Sequence, residues 1–592
     1  MMKITIMVKL IIIVLLLFCY KLINSQQNVG IGTTNPHESA ALEIKSNSQG
    51  ILIPRLDFIE RLTIFNPAKG LMVYDTITST FWYHDGIDWT DIGNTLFLAD
   101  RDGDTRITVE NSNDIDDIRF LMAGKEYFVM DSARLNVMNS GQSVFIGNLA
   151  GSKDDLTNNY NTAIGEHALR DNISGVDNVA IGDYSLSKSN GNENTAVGDI
   201  TLFNNTSGGY NTAIGAESQV NNDDGSNNSS LGYRSGYNNV SGVGNVNIGV
   251  STGENNQTGS RNVNIGFLTG KANNGGTANV VIGGNALLTA TGYSDVVAIG
   301  SAALHIAQGR NKIVAIGDSA LYKNAMGAIS NVHGSDNVAV GSRALALNTE
   351  GANNTAIGNE ALENNAGSFS FASNNTAVGT RSLHQNNGAS DNTGVGYNAL
   401  RNNSSGERNT ALGSNSLFNA GTGHDNVGIG FSALRISNSG GSNVAIGSQA
   451  LFKNQSGSKN VSIGTNSGLS NTGGSNNVLI GYSAGRTTDF DPISGSIMIG
   501  YEAGLLETSS NKLYIENSSK NAEEALIYGD FSNDLLRFNG KVEIKKSASV
   551  EALLYLEPSN APSSPTPGMI YFDAADETLK VFRVATGWTP LH

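Results

Sequence analysis

The chain has one cysteine and nine prolines in 592 residues, and only 15% of its side chains are charged. The cysteine, Cys19, lies in a segment expected to be removed. The mature chain then has no disulfide, no cysteine-ligated zinc and no cysteine nucleophile. Scarce proline beside 70 glycines excludes collagen and a proline-rich linker. So low a charge content argues against a charge-driven disordered chain. The balance of 37 basic and 53 acidic residues, net −16, gives no general attraction to nucleic acid or to anionic lipid. Neither is expected as a partner.

Residues 1–25 read as a secretory signal peptide. Lys3 and Lys9 precede the apolar run from Leu10 to Tyr20, and Asn24-Ser25 supplies a small residue for cleavage. The run is short for a membrane span, so none is expected in the mature chain. Phe18 argues against a lipoprotein reading of Cys19, because that position needs a small residue. A secreted or bacterial cell-surface location follows.

What the chain has in abundance is one repeat. The pentad Asn178-Val179-Ala180-Ile181-Gly182 recurs, with small changes, in 21 copies from Gly147 to Gly500, and the modal step is 17 residues. The residue before the glycine is always Ile, Val or Leu, and Val or Thr usually stands two positions earlier. These two share a strand face, so Val179 and Ile181 are expected in the core, with Ala180 facing away. Ala, Ser or Thr stands three residues past the glycine. Leu or Gly stands four past it, except at Gln219. A second glycine nine or ten past it, as at Gly175, Gly208, Gly242, Gly406 and Gly457, suggests a turn with positive φ.

Each repeat therefore predicts one coil: strand, tight corner, short strand, glycine turn. Parallel ladders stack the coils into a solenoid, and the pentad asparagines form a hydrogen-bonded column. A hexapeptide β-helix needs an aliphatic at every sixth position. The aliphatics here fall at the pentad and about five residues on, which disfavours that fold and the acyltransferases built on it. Such thin coils bury few side chains, so self-association into a parallel homotrimer is expected. The small residues three past the glycine (Ala286, Ala303, Ala320) would allow chains to approach closely.

The pentads, followed by Ala/Ser-Leu and a Ser-Gly turn, resemble the head repeat of trimeric autotransporter adhesins, the YadA-like head. The resemblance covers residues 142–505. It implies an all-β fold, a left-handed parallel β-roll of about 21 coils, and a homotrimer. The chain departs from that family's pattern in having no apolar heptads near its C-terminus and no terminal aromatic strand.

The flanks share a second pattern. Gly70-Leu71-Met72-Val73-Tyr74-Asp75, Phe81-Trp82-Tyr83 and Trp89-Thr90 form a β-meander signature. Gly568 to Asp573, Leu579 to Phe582 and Gly587-Trp588-Thr589 repeat it. Such modules suit capping of a solenoid's open edges. Exposed Trp82 and Trp89 would alternatively suit a carbohydrate platform. These flanks, with Asn28 to Gly32, resemble N-terminal regions of secreted fibre-like proteins of Bacteroidetes-type bacteria. The expected organisation is a meander module at 26–95, a connecting β segment at 96–141 and the roll at 142–505. Strands leaving the roll follow at 506–546, and a second meander module at 547–592.

The eight histidines lack partners at any known catalytic spacing; His167, His305 and His384 read as surface residues on coil turns. No enzyme activity and no cofactor are expected. Asp100, Asp102 and Asp104 alternate as in a calcium loop, although Thr105 and Asn111 stand where Gly and Glu are usual, so calcium is a weak expectation. The best binding candidates are two insertions, seven residues between Gly317 and Gly341 and four between Gly358 and Gly379. They carry Met326, Ile329, Val332 and His333 in one, Phe369 and Phe371 in the other. The favoured function is an extracellular adhesive or structural fibre that binds a matrix protein, a glycan or a cell surface. An ice-binding solenoid is the alternative. It is disfavoured because Thr162, Thr195 and Thr355 share the face expected to be the core.

Overall fold

The computed structural model describes residues 2–21, 28–92, 97–100, 102–109, 117–131, 134–137, 141–308, 311–325, 333–366, 372–487, 492–543, 558–559, 561, 565 and 567–591. They fall into two units, Met1–Ser140 and Gly141–His592.

The first unit begins with a helix, Met2–Lys21. Among the described residues no helix is long and apolar enough to cross a membrane. Val29–Ile31 and Leu42–Ile44 then pair in parallel. The meander signature folds as Met72–Asp75, Thr80–His84 and Trp89–Asp91, with Arg55–Leu56 added in parallel at its edge. Between the first two strands of this sheet lies the short helix Phe58–Leu62. Asp57 and Glu60 cap it reciprocally, each side chain accepting the other's backbone N–H. The stretch expected as a connecting segment contains a five-stranded antiparallel sheet running from Phe97–Ala99 to Arg134–Val137.

The second unit is a parallel β-solenoid. Its main sheet has 24 strands, beginning with Val144–Ile146, and all but the last two are parallel. The pentads stack in strict register: Thr162, Ala163 and Ile164 lie beside Val179, Ala180 and Ile181. Neither insertion disturbs this register, since Val314 still pairs with Val338 and Thr355 with Thr376. Lys512–Ile515 extends the parallel sheet beyond the last pentad, and the hairpin Ile527–Asp530 and Leu535–Phe538 then closes that edge. Residues 570–590 form a meander with Pro558–Ser559 parallel at its edge, the same topology as residues 55–91.

The inward face of the pentad is the reverse of the one expected. Ala180 is fully buried, whereas Ile181 is 37% exposed and Val179 half-buried. The middle residue points into the coil because the coil is too thin for two aliphatics from one strand. Leu186, four past the glycine, is buried as expected. So is the small residue three past the glycine: Ala286, Ala303 and Ala320 are sealed inside their own coils and cannot serve as a surface between chains.

The second segment is a regular strand in only a few coils, in two three-stranded sheets starting at Ile306–Ala307 and Gln385–Asn386. These strands begin six residues past the pentad glycine, and before that point every coil turns a corner. The residues two and four past the glycine have positive φ, as at Tyr184 (52°) and Leu186 (50°). This alternation bends the chain while alternate amides reach a neighbouring coil, as Tyr184 N does to Glu166 O and Leu186 N to Thr201 O, both at 2.9 Å. Positive φ also explains why glycine replaces leucine there so readily.

The two conspicuous glycines have different causes. The pentad glycine has φ near 130° at Gly182, and a Cβ there would lie 2.3 Å from the carbonyl oxygen of Gly198. The turn glycine, expected to need positive φ, does not have it. At Gly208 a Cβ would stand 2.2 Å from Gly225 O, so close approach of coils excludes a side chain. The left-handed turn residue is the one before the pentad asparagine, such as Asp177 (57°) or Tyr210 (60°).

Buried asparagines bind the coils together. Asn178 Oδ1 accepts from Asn194 N at 3.0 Å, and Asn178 Nδ2 donates to Gly191 O at 2.9 Å. A second buried column runs through the turns, where Asn222 Nδ2 donates to Asn205 Oδ1 at 2.6 Å and to Gly225 O at 2.8 Å.

Candidate functional site

The outer face of the long sheet carries the aliphatics expelled from the core. Ile181, Ile214, Ile248, Ile446 and Ile463 are each between 36% and 38% exposed, and they project from coil after coil on one side. Val or Thr lines the same face two residues earlier, except at Ser229 and Ile497. In-register stacking makes this a continuous apolar stripe, and an exposed apolar stripe marks an interaction surface. The threonines expected in the core are on this outer face, and Thr355, Thr376, Thr393 and Thr410 pair successively along it. These threonines face outward and are open to water, so burial does not bar them from ordering ice.

Of the insertion residues, His333 is described and is buried. Met326, Ile329, Val332, Phe369 and Phe371 lie outside the described residues. The coils that bear the insertions carry a charge network. Arg343 pairs with the buried Glu363, and His384 Nε2 lies 3.0 Å from Glu363 Oε2. Arg381 Nε sits 2.6 Å from Glu360 Oε2, and this hydrogen bond holds the Glu360 carboxyl below its usual range. Glu360, Glu363 and His384 have the donor types for a divalent ion, but both carboxylates already face a guanidinium. Beside them Ser319, Tyr322, Arg343, Ala346, Leu347 and Glu363 line a shallow pocket of about 190 Å³.

Glu166, His167 and Asp183 form a second such group. His167 is only partly exposed, and it stacks on Tyr184 at 4.5 Å, one coil on. His305 stacks likewise on Tyr322 at 5.0 Å. These histidines belong to inter-coil stacks and are more enclosed than surface turns would make them.

Asp100, Asp102 and Asp104 bring carboxylate oxygens within 4.8 Å of one another. The hairpin uses Asp100 itself: its Oδ1 accepts from the amides of Gly103 at 3.1 Å and Thr105 at 3.2 Å. The hydrogen bond to Asp100, with its charge, raises Asp102 above the usual carboxylate range.

In the first unit the side chain that sequence reasoning missed is Arg61. It is buried, ion-paired to Asp75 at 3.2 Å, and its guanidinium lies 3.5 Å from the centre of the Trp82 ring. Burial opposes ionisation of Asp75. The amides of Thr78 and Ile77 and the charge of Arg61 outweigh it and hold the carboxyl below its usual value. Trp82 is thus covered by Arg61, and Trp89 packs edge-on against His84 at 5.4 Å, so neither is an open sugar platform. The signal was the lone Asp ending an apolar strand. The second meander repeats it, with Asp573 taking Lys580 as partner at 2.7 Å.

Residues 30–110 match the family model described as a phage tail like trimerisation region. The match spans the parallel pair, the Arg61–Asp75 sheet and the start of the antiparallel sheet. No curated protein and no solved structure matches the chain. A trimerisation-type region ahead of a parallel β-solenoid is the make-up of a structural, self-associating, fibre-like protein.

Proposed function

We propose that the chain is one subunit of a non-enzymatic homotrimeric fibre that acts outside the cell as an adhesin or scaffold. The observation that carries this reading is the outward Val/Thr and Ile stripe of the long sheet. A single chain would leave it wet over the whole roll. Closing chains over 21 such strands would take the stripe out of water, and that favours association. Three flat faces meeting around one axis cover every stripe equally, and the trimerisation-type match at 30–110 supports that stoichiometry.

The pentad repeat supports a head of the YadA-like kind, and the basic, then apolar N-terminus supports export through a signal peptide. The apolar residues of the two insertions remain the first place to look for a protein ligand. Sedimentation equilibrium of the mature chain tests the assembly: three times the monomer mass is expected, and a folded monomer at micromolar concentration would refute it.

A second reading is ice binding, favoured by the outward threonines from Thr355 to Thr410. Aliphatics flank them throughout and Val338 precedes them, so the regular array is short. Thermal hysteresis in the purified protein would support this reading over the first.

A further inference from the structure

On the side of the coils away from the long sheet, the residues five past each pentad glycine form a column. Arg401, Phe418, Arg435 and Phe452 are successive members. Asn402 N donates to Phe418 O at 2.9 Å, Asn419 N to Arg435 O at 3.0 Å and Ile436 N to Phe452 O at 3.0 Å, which keeps the column in step. The Arg401 and Arg435 guanidiniums lie over the Phe418 ring at 5.5 Å and 5.4 Å, and Arg435 also lies 5.5 Å from Phe452. Leu469 and Arg486 continue the series.

These arginines differ from their neighbours. Arg170, Arg234, Arg343, Arg381 and Arg408 each face a carboxylate. Arg401, Arg435 and Arg486 have no acidic partner among the described residues, and Arg401 Nε is buried without a hydrogen bond. Residues 426–488 contain Arg435, Lys453, Lys459 and Arg486 and no aspartate or glutamate, in a chain of net charge −16.

We propose that this column binds a linear acidic polysaccharide, with sugar carboxylates or sulfates on the guanidiniums of Arg401, Arg435 and Arg486. Stacking on phenylalanine occupies a guanidinium's face and leaves its N–H edge to take an oxyanion in bidentate fashion. Arg401 and Arg435 are two coils apart, about 10 Å at the strand spacing, close to the length of a disaccharide in an extended glycan. One acidic group per disaccharide then falls beside Arg401 and beside Arg435, while Arg486, three coils further and about 14 Å on, takes an acidic group outside that repeat. The rims of Phe418 and Phe452 offer apolar contact to the sugars between. Acidic surroundings confine a polyanion to this narrow strip. Asp391, Glu407 and Asp425 at the turns of the same coils oppose a broad one such as a nucleic acid duplex. The strip stays open if the long sheets close a trimer, and the inference does not depend on that assembly.

The full mature chain would be tested on immobilised heparin, which presents sulfates, and on polygalacturonate, which presents carboxylates. Dextran and duplex DNA serve as controls. Binding to at least one acidic polysaccharide is expected, weakening with salt, and the preferred matrix identifies the acidic group. The triple variant R401Q/R435Q/R486Q should weaken it at least tenfold, while K312Q, elsewhere on the roll, should leave it unchanged. Polysaccharide should also protect Arg401, Arg435 and Arg486 of the unaltered chain from phenylglyoxal, read by mass spectrometry, which decides the matter should the variant misfold. No binding to either polysaccharide, equal binding by a folded triple variant, or absence of protection would overturn the proposal. So would equally tight capture of DNA through the same arginines.

Discussion

Ala180 and Leu186 close one coil from opposite sides, and the size of each limits the other. Wherever the pentad centre is Ala or Gly, the residue four past the pentad glycine is Leu, or Gln219 opposite Ala213. Wherever the centre is Phe145, Ser230, Asn247, Asn264, Ser462, Leu479 or Met498, that residue is glycine. A Cβ at Gly151 would strike the Phe145 ring at 2.4 Å, and one at Gly504 would strike Met498 Sδ at 2.5 Å. Val281 with Leu287 is the single pair that combines two larger side chains.

This reciprocity predicts a compensating double mutant. Ala180→Leu overfills the coil and should destabilise the roll by about 1–3 kcal/mol. Leu186→Gly empties it and should cost about 2–5 kcal/mol, less the relief of a leucine held at positive φ. Together they recreate the Leu479–Gly485 pair, so the double variant should be more stable than the sum of the single losses implies. Thermal melting of the four proteins measures the coupling, and strict additivity would mean that the two side chains do not share one space.

The outward stripe predicts that charge on it separates chains without unfolding them. Replacing Ile446, Ile463 and Ile499 by Asp puts three carboxylates on a half-exposed face, where a lone chain can hydrate them but a closed assembly cannot. Sedimentation should show a shift toward lower mass with the far-ultraviolet spectrum retained. Loss of the β spectrum at unchanged mass would instead return these isoleucines to the core.

Much of this architecture was legible in the sequence. A 17-residue step with one invariant glycine leaves few folds open, and the stacked asparagines followed from their place in the pentad. Which face of a three-residue strand points inward was not legible, because period-2 alternation is symmetric. Hydrophobicity favoured Val179 and Ile181, and only the reciprocal sizes at Ala180 and Leu186 break the tie. The turn glycines misled for a related reason, since a glycine kept for close approach looks the same as one kept for φ. The Arg401 column was hidden because its members are 17 residues apart and unlike one another.

The asparagine column predicts a local and measurable loss. Asn178→Ala strands two buried groups, the amide of Asn194 and the carbonyl of Gly191, at about 1–3 kcal/mol each. Hydrogen exchange at Asn194 and its neighbours should accelerate, while coils near Asn443 keep their protection, because a solenoid's coupling is to nearest neighbours. Uniform acceleration along the roll would show that it opens only as a whole.

The buried Arg61–Asp75 pair predicts acid sensitivity of the first unit. The Asp75 carboxyl titrates below its ordinary value of 3.8, so its ionised form is favoured by folding. That stabilisation is complete above the unfolded value, from about pH 5 upward, and is lost as the pH falls through the folded one. Arg61 covers Trp82 at 3.5 Å, so indole fluorescence should report the loss. On acidification below about pH 4 the emission of Trp82 and Trp89 should shift. Asp75→Asn should flatten that dependence and leave the first unit weakened at neutral pH, because the guanidinium stays buried without its counter-charge. Trp588 lies in the other unit, so a Trp588→Phe background isolates the signal. An acid transition unchanged by Asp75→Asn would mean that another carboxylate controls the opening of this sheet.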